Sequence, residues 1–403
     1  MNALNPIYII VLLVTAFVIA KSLLKSVVLP SSNGRYNAID GLRGYAAFFV
    51  FIHHASVWLF YLKDGAWTTP PSNLYTHLGQ TSVAFFFMIT GFLFCTKIMN
   101  SQGQDFDWLK LFISRLLRLC PLYFFSISVV VFIALCMSGW HVQEPLVKLI
   151  AHIGRWYTFT LNGNPDINMV ENTSRIIAGV NWSLKYEWIF YALLPAIGLL
   201  FKVKTPLIYV LLSVAVIAIL AYNGITQSGI FIFFHFLFFV SGAMAAVLNK
   251  KQNMKRIALR PFMGVVAMLC IAATMFLTPT AYSGIPFVLL TIAFCIMALG
   301  NNLFGIMTHT CARYLGEISY SLYLNHGIIL FIVFHFIIGY DQAKNLAPHE
   351  FWLVIFFVVP VLMFISHATF TYIESKPLKK LNMVMDFLRS RSTAKVKTES
   401  EYL

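Results

Sequence analysis

The sequence predicts an all-α polytopic membrane protein, a bundle of about 10–11 transmembrane helices. Three observations predict it. A soluble domain carries about 25% charged residues, whereas this chain has 11%, beside 59% hydrophobic residues and 38 phenylalanines. Too few charges remain to cover a water-facing surface. The apolar residues fall in runs of roughly 18–22, the length that crosses a ~30 Å hydrocarbon core. Backbone groups in lipid must bond within their own segment, so such runs form helices. Finally, the basic residues alternate between the two sides, as the positive-inside rule requires.

In chain order, helices are expected near 6–29, 42–62, 83–100, 117–138, 184–201, 205–222, 228–248, 262–279, 284–300, 316–340 and 351–372. No Lys or Arg precedes the first run, and Lys21 and Lys25 follow it. That polarity is opposite to a signal peptide's, so the run reads as a retained helix with its N-terminus outside. The one long polar connection, 139–183, reads as an ordered loop or small subdomain. The chain divides into an N-terminal transmembrane helix in 1–35, a transmembrane domain in 36–377 and a basic tail in 378–403, expected on the cytoplasmic side.

With that topology, 23 of the 29 Lys and Arg residues fall inside, among them Arg35, Arg43, Arg115, Arg118, Lys250, Arg260 and seven tail residues. Only Lys63, Lys148, Arg155, Arg175, Lys185 and Lys344 fall outside. The asymmetry accounts for the net charge of +14 and removes the need for a nucleic-acid partner. The six cysteines are scattered without C-x-x-C spacing and read as small buried hydrophobes. No H-E-x-x-H, cysteine cluster, Walker loop or G-x-G-x-x-G occurs, so neither a metal nor a bound cofactor is expected.

Ionisable groups inside a bilayer cost several kcal/mol and mark function. Asp40-Gly-Leu-Arg43 opens the second helix, and His54 follows Arg43 by eleven residues, roughly 16 Å of rise. The two share a helix face, with Arg43 at the inner mouth and His54 near the midplane. His53 is turned away. In Ser319-Tyr320-Ser-Leu-Tyr323-Leu-Asn-His326, His326 reaches the same depth from the same side, with Tyr323 on its face. Two histidines at one level suggest a shared polar pocket, against the plainer reading of two helix–helix hydrogen bonds. In Trp182-Ser183-Leu-Lys-Tyr-Glu187, Ser183 and Glu187 share a face about one turn into the outer side of their helix. Glu187 is placed to receive a proton, orient a histidine or bind sugar hydroxyls; pairing with Lys185 is the structural alternative. Arg115 and Arg118, three apart, present parallel forks suited to phosphate; positive-inside anchoring is the plainer role. Gly91 permits close approach of a helix or a ligand.

These segments resemble the acyltransferase family 3 membrane proteins over roughly 36–377. The matching pieces are Asp40-Gly-Leu-Arg43-Gly with His54, Phe86 to Leu93, Arg115-x-x-Arg118 with Pro121, Trp182-Ser-Leu-x-x-Glu187 with Tyr191, and Ser319-Tyr320-x-x-Tyr323-Leu-x-His326. Thr90 stands where the family often has Ser, the closing Glu374-Ser-Lys-Pro377 is one residue longer, and the N-terminal helix is additional to the usual ten. The chain is expected to lack the fused extracellular domain of some members, leaving the acceptor step to the membrane domain or a separate partner.

The resemblance implies an integral membrane O-acetyltransferase of the bacterial inner membrane. Its donor would be cytoplasmic acetyl-CoA, or another acyl-CoA, as co-substrate. Its acceptor would be a glycan or lipid-linked glycan such as lipopolysaccharide O-antigen. His54 and Arg43 are the expected catalytic residues, with Glu187 and His326 in second rank, Arg115 and Arg118 binding the donor, and Asp40, Ser183, Tyr320 and Tyr323 in support. His54 would act as general base or carry the acyl group itself. The competing classes are a proton-coupled transporter, against which stands the lack of an internal repeat, and an acyltransferase of a macrolide or lipid.

Overall fold

The computed structural model describes residues 3–26, 29, 36–226 and 230–390. Among them each of the eleven predicted apolar runs is helical, and no strand is present. The protein is thus an all-α polytopic membrane protein. Arg35 and the tail from residue 391 onward, both counted among the inner basic positions, lie outside the described residues.

In order, the helices are α1 (Ile7–Leu23), α2 (Asn37–Asp64), α3 (Asn73–Asn100), α4 (Trp108–Met137), α5 (Leu146–Tyr157), α6 (Trp182–Leu200), α7 (Leu207–Thr226) and α8 (Ile230–Asn249). They continue as α9 (Gln252–Ala258), α10 (Pro261–Leu277), α11 (Gly284–Ala298), α12 (Thr310–Glu317), α13 (Ser319–Ile332), α14 (Tyr340–Ala343), α15 (Pro348–Thr369) and α16 (Ser375–Lys379). Among the described residues, five helical stretches are long and apolar enough to span a bilayer: α2, α3, α4, Ser319–Ile337 and Pro348–Ser390.

Several helices start earlier than their apolar runs. α3 begins ten residues before Val83 because Ser72 caps it, accepting from the Tyr75 amide at 3.5 Å. Its polar first turns are buried rather than solvated. His77 bonds the Thr81 hydroxyl at 3.0 Å and the Thr278 carbonyl at 2.8 Å. α4 begins at Trp108 because the Asp107 carboxylate caps the Lys110 amide at 2.9 Å. α1 is docked rather than free. Tyr8 stacks on Trp352 at 5.0 Å, and the Trp352 indole donates to the Ala3 carbonyl at 2.8 Å.

Glycines set how closely α2 can be approached. A Cβ on Gly41 would lie 1.8 Å from the Met307 carbonyl, and one on Gly44 2.1 Å from that of Ala312. Reciprocally, a Cβ on Gly316 would meet the Asp40 carbonyl at 2.0 Å. α2 and α12 therefore pack backbone to backbone, which brings the start of α13 against Arg43. Gly91 serves another helix in the same way, facing the Phe239 carbonyl of α8, while Gly242 faces Met88.

The connection between α4 and α6 is ordered. It holds α5 and a network in which the Asn168 amide donates to Ser138 at 2.7 Å and to the His141 carbonyl at 2.8 Å. Phe159, Thr160, Asn168, Met169, Asn172 and Ala178 all take positive φ, between 51° and 62°. So many left-handed non-glycine residues persist only where surrounding contacts fix them. They fold Thr173–Ile177 back into the bundle against α13. There Gly327 touches Ile177, so closely that a Cβ would fall 2.4 Å from its carbonyl carbon.

Candidate active site

That fold-back corrects the expected depth of α6. Its first turn lies level with Tyr323, whose hydroxyl contacts Ser183 Oγ at 2.8 Å and donates to the Val180 carbonyl at 2.9 Å. Glu187, one turn further on, therefore sits on the arginine side of the bundle rather than in its outer half. It is not paired with Lys185. Its carboxylate accepts from the Tyr191 hydroxyl at 2.6 Å and from Thr90 at 3.3 Å.

Around it opens a cavity of about 270 Å³ lined by Arg43, Arg115, Arg118, Thr90, Ser183, Glu187, Tyr191, Ser319, Tyr320 and Tyr323, with Phe86, Phe87 and Phe94 among its apolar walls. Three guanidinium groups and one carboxylate line this chamber, with the buried Glu374 carboxylate behind Arg118.

The three arginines are held differently. Arg43 donates to Ser319 Oγ at 3.1 Å and is ringed by the negative charges of Asp40, Glu317 and Glu374. Arg118 lies 3.8 Å from the Glu374 carboxylate. Arg115 lies over the Phe94 ring at 5.1 Å and against Tyr191 and Glu187. Arg115 and Arg118 thus diverge towards different carboxylates and do not form one parallel fork. Tyr320 donates to the Leu119 carbonyl at 3.0 Å, tying α13 to α4.

Glu374 has no place in the residue-level expectation, although it opens the closing Glu-Ser-Lys-Pro pattern. It is 2% exposed, accepts from Ser321 at 2.8 Å and ends a π-helical turn, Phe370–Glu374. Such turns are inserted mostly at functional sites. The signal available in the sequence was a carboxylate directly after an apolar helix that also carries His367. His367 itself bonds the Tyr314 hydroxyl at 2.8 Å.

His54 and His326 meet. His326 Nε2 lies 3.1 Å from His54 Nδ1, and the rings are 5.0 Å apart. Each Nδ1 also faces the carbonyl four residues earlier, Val50 for His54 and Leu322 for His326, both at 3.1 Å. Carbonyls only accept, so both Nδ1 atoms carry the proton. His326 Nε2 is then the acceptor for His54 Nδ1–H, and His54 Nε2 holds a lone pair. His53 turns to α3, donating to the Tyr75 carbonyl at 2.8 Å. The pair does not line the arginine cavity. Tyr323, which does, has its ring 6.0 Å from His326, so the histidines sit just behind it.

The arrangement can bind an anion on one side of Tyr323 and accept a proton on the other. Among the described residues, no group of three His, Cys, Asp or Glu is placed to hold a metal. A family model described as an acyltransferase domain matches residues 36–368. No curated protein and no solved structure matches the chain.

Proposed function

The chain belongs to acyltransferase family 3 and is a membrane acyltransferase, and from that premise we propose that it transfers acetyl from acetyl-CoA to a hydroxyl of a cell-surface glycan. The basic end of the bundle faces the cytoplasm of a bacterial cell in this reading, and the chain lies in the inner membrane. The carrying observation is the arginine-lined cavity that reaches Tyr323, with an imidazole pair directly behind it.

The phosphates of the donor take Arg115 and Arg118, since guanidinium forks match phosphate oxygens. The thioester points towards Tyr323. His54 Nε2 removes the proton of the acceptor hydroxyl as its oxygen attacks the thioester carbonyl. The new C–O bond forms, the C–S bond breaks, and the proton passes from His54 to the departing thiolate to give free CoA. General-base catalysis of this kind contributes about 10²–10⁴-fold. The Val50 carbonyl and His326 both favour the tautomer that exposes Nε2, and the His326 lone pair stabilises the imidazolium that forms. It takes the orienting place that a carboxylate fills in a Ser–His–Asp triad. Arg43 offsets negative charge developing on the carbonyl oxygen.

The test uses the full chain in nanodiscs with acetyl-labelled CoA and oligosaccharide acceptors, read by mass spectrometry of the glycan. Label should appear on the glycan with the native protein and vanish with His54→Ala, while membrane insertion and CoA binding persist. Undiminished transfer by His54→Ala would refute the base assignment. Substrate movement across proteoliposomes without CoA release would favour a transporter.

A further inference from the structure

A second cavity, of about 160 Å³, opens at the other end of α13. One wall is Val170–Ile176, the outer side of the segment that folds back against Gly327. The opposite wall is Phe331 and His335, with Tyr340 beside them. His335 lies in a π-helical turn, Val333–Ile337, that continues α13. Its ring stacks on Phe331 at 4.9 Å and meets Tyr340 edge-on at 4.8 Å. Its Nδ1 is buried and has no hydrogen-bond partner among the described residues. Arg175 lies over the Tyr61 ring, 4.7 Å from its centroid, and donates to its hydroxyl. It lines the cavity and makes no ion pair with any described residue. Asn172, held at φ 56°, and Glu171 add an amide and a carboxylate. The wall is rigid, because the Thr173 amide donates to Asp166 at 2.9 Å and the Ile167 amide to Thr173 Oγ1 at 3.0 Å.

The cavity stands on the same two helices as the imidazole pair. Tyr61 is seven residues past His54, two turns along the same face of α2, or roughly 10 Å. His335 is nine residues past His326 on α13 and its continuation. The histidines thus lie between two cavities, one lined by three arginines and one of mixed character.

We propose that this second cavity is a binding subsite for a neutral sugar ring of the acceptor, the unit next to the one acylated. The inference rests on the reading above that a glycan is the acceptor. Planar donors and acceptors side by side match the alternating hydroxyls of a pyranose, and the Tyr340 and His335 rings that line the cavity suit its C–H surface. A carboxylate or phosphate ligand would meet Arg175 but be repelled by Glu171. An acyl chain would leave the Arg175 guanidinium without a partner at a desolvation cost. The two turns to His54 exceed the reach of a single ring, so the hydroxyl that reacts belongs to a neighbouring unit.

The experiment uses the full chain in nanodiscs. Binding of methyl glucoside, galactoside and rhamnoside, and of methyl glucuronide, is followed by saturation-transfer NMR in the native protein and in Arg175→Ala, Arg175→Lys and His335→Phe. At least one neutral glycoside should bind, and each variant should weaken it about tenfold, the loss of one hydrogen bond. Acetyl-CoA affinity should stay unchanged, which controls for folding. In transfer assays the same variants should raise the KM of an oligosaccharide acceptor and leave that of acetyl-CoA alone, and a monosaccharide should be the poorer acceptor. Glycan transfer with an unaltered acceptor KM in all three variants would overturn the subsite and leave the activity standing. Variant-sensitive glycoside binding by a protein that acylates no glycan would support the subsite and overturn the acceptor reading. Absence of both would overturn both, and preference for the glucuronide over every neutral glycoside would overturn the neutral class.

Discussion

Replacing His326 tests whether the two histidines work as one unit. In the folded chain, His326 Nε2 accepts from His54 Nδ1–H at 3.1 Å, and Val50 offers the same proton a carbonyl at the same distance. In His326→Ala the resting tautomer of His54 therefore survives on Val50. What is lost is stabilisation of the imidazolium that forms as the acceptor proton moves. A hydrogen bond to a charged group contributes about 1.5–3 kcal/mol, which corresponds to a loss of roughly 10- to 150-fold in kcat. His54→Ala removes the base itself and should cost about 10²–10⁴-fold. Because His326 acts only through His54, the double variant should be no slower than His54→Ala alone. His326→Gln, whose amide oxygen also accepts, should recover part of the loss. The assay is transfer from acetyl-CoA at saturating donor and acceptor, with CoA binding as the folding control. Full additivity in the double variant would refute the coupled pair, as would wild-type kcat in His326→Ala.

Three further outcomes follow from the same geometry. Arg115→Ala or Arg118→Ala should weaken CoA binding roughly 10- to 150-fold, the range for a charge-assisted bond, in a titration by calorimetry; unchanged affinity would remove them from the donor site. Gly316→Ala places a methyl group 2.0 Å from the Asp40 carbonyl and should destabilise the protein by about 1–3 kcal/mol, read as a lowered unfolding midpoint; an unchanged midpoint would mean that α2 and α12 are not in backbone contact. Tyr323→Phe deletes the hydroxyl bonded to Ser183 and Val180 and should raise acetyl-CoA hydrolysis without acceptor; unaltered hydrolysis would deny Tyr323 a barrier role.

What was legible in the sequence followed the regularity of the helix. Counting along the helix from Arg43 and from Gly316 puts His54 and His326 at one level, and they touch, although Gly316 lies at the end of α12 and α13 starts only at Ser319. Arg43 and Ser319 meet because Gly41, Gly44 and Gly316 let the backbones close, a cause visible only once the helix partners are known. Depth counting failed for Glu187 because the origin of α6 is set by left-handed residues in the preceding connection, which no apolar pattern encodes. Glu374 was overlooked because a π-turn re-aims it into the bundle. Arg115 and Arg118 line one cavity, but their spacing does not show their divergence, which depends on Glu374 and Tyr191 from other helices.

The separation of donor-side charge from the imidazole pair bears on how transfer can compete with hydrolysis. A thioester waiting beside a solvated base would be lost to water, since water meets the same base as the acceptor hydroxyl. In this fold the arginine-lined cavity reaches Tyr323, which is latched to Ser183 and Val180. The segment carrying that latch is the same one that continues, through Ala178 and Ile177 against Gly327, to the wall of the outer cavity. A ligand seated in the outer cavity therefore contacts the strand of chain that holds the barrier in place. In the proposed reaction, acceptor binding and opening of the path between thioester and His54 would act on this one segment. A barrier released by the acceptor raises transfer without raising hydrolysis, which a fixed open channel cannot do.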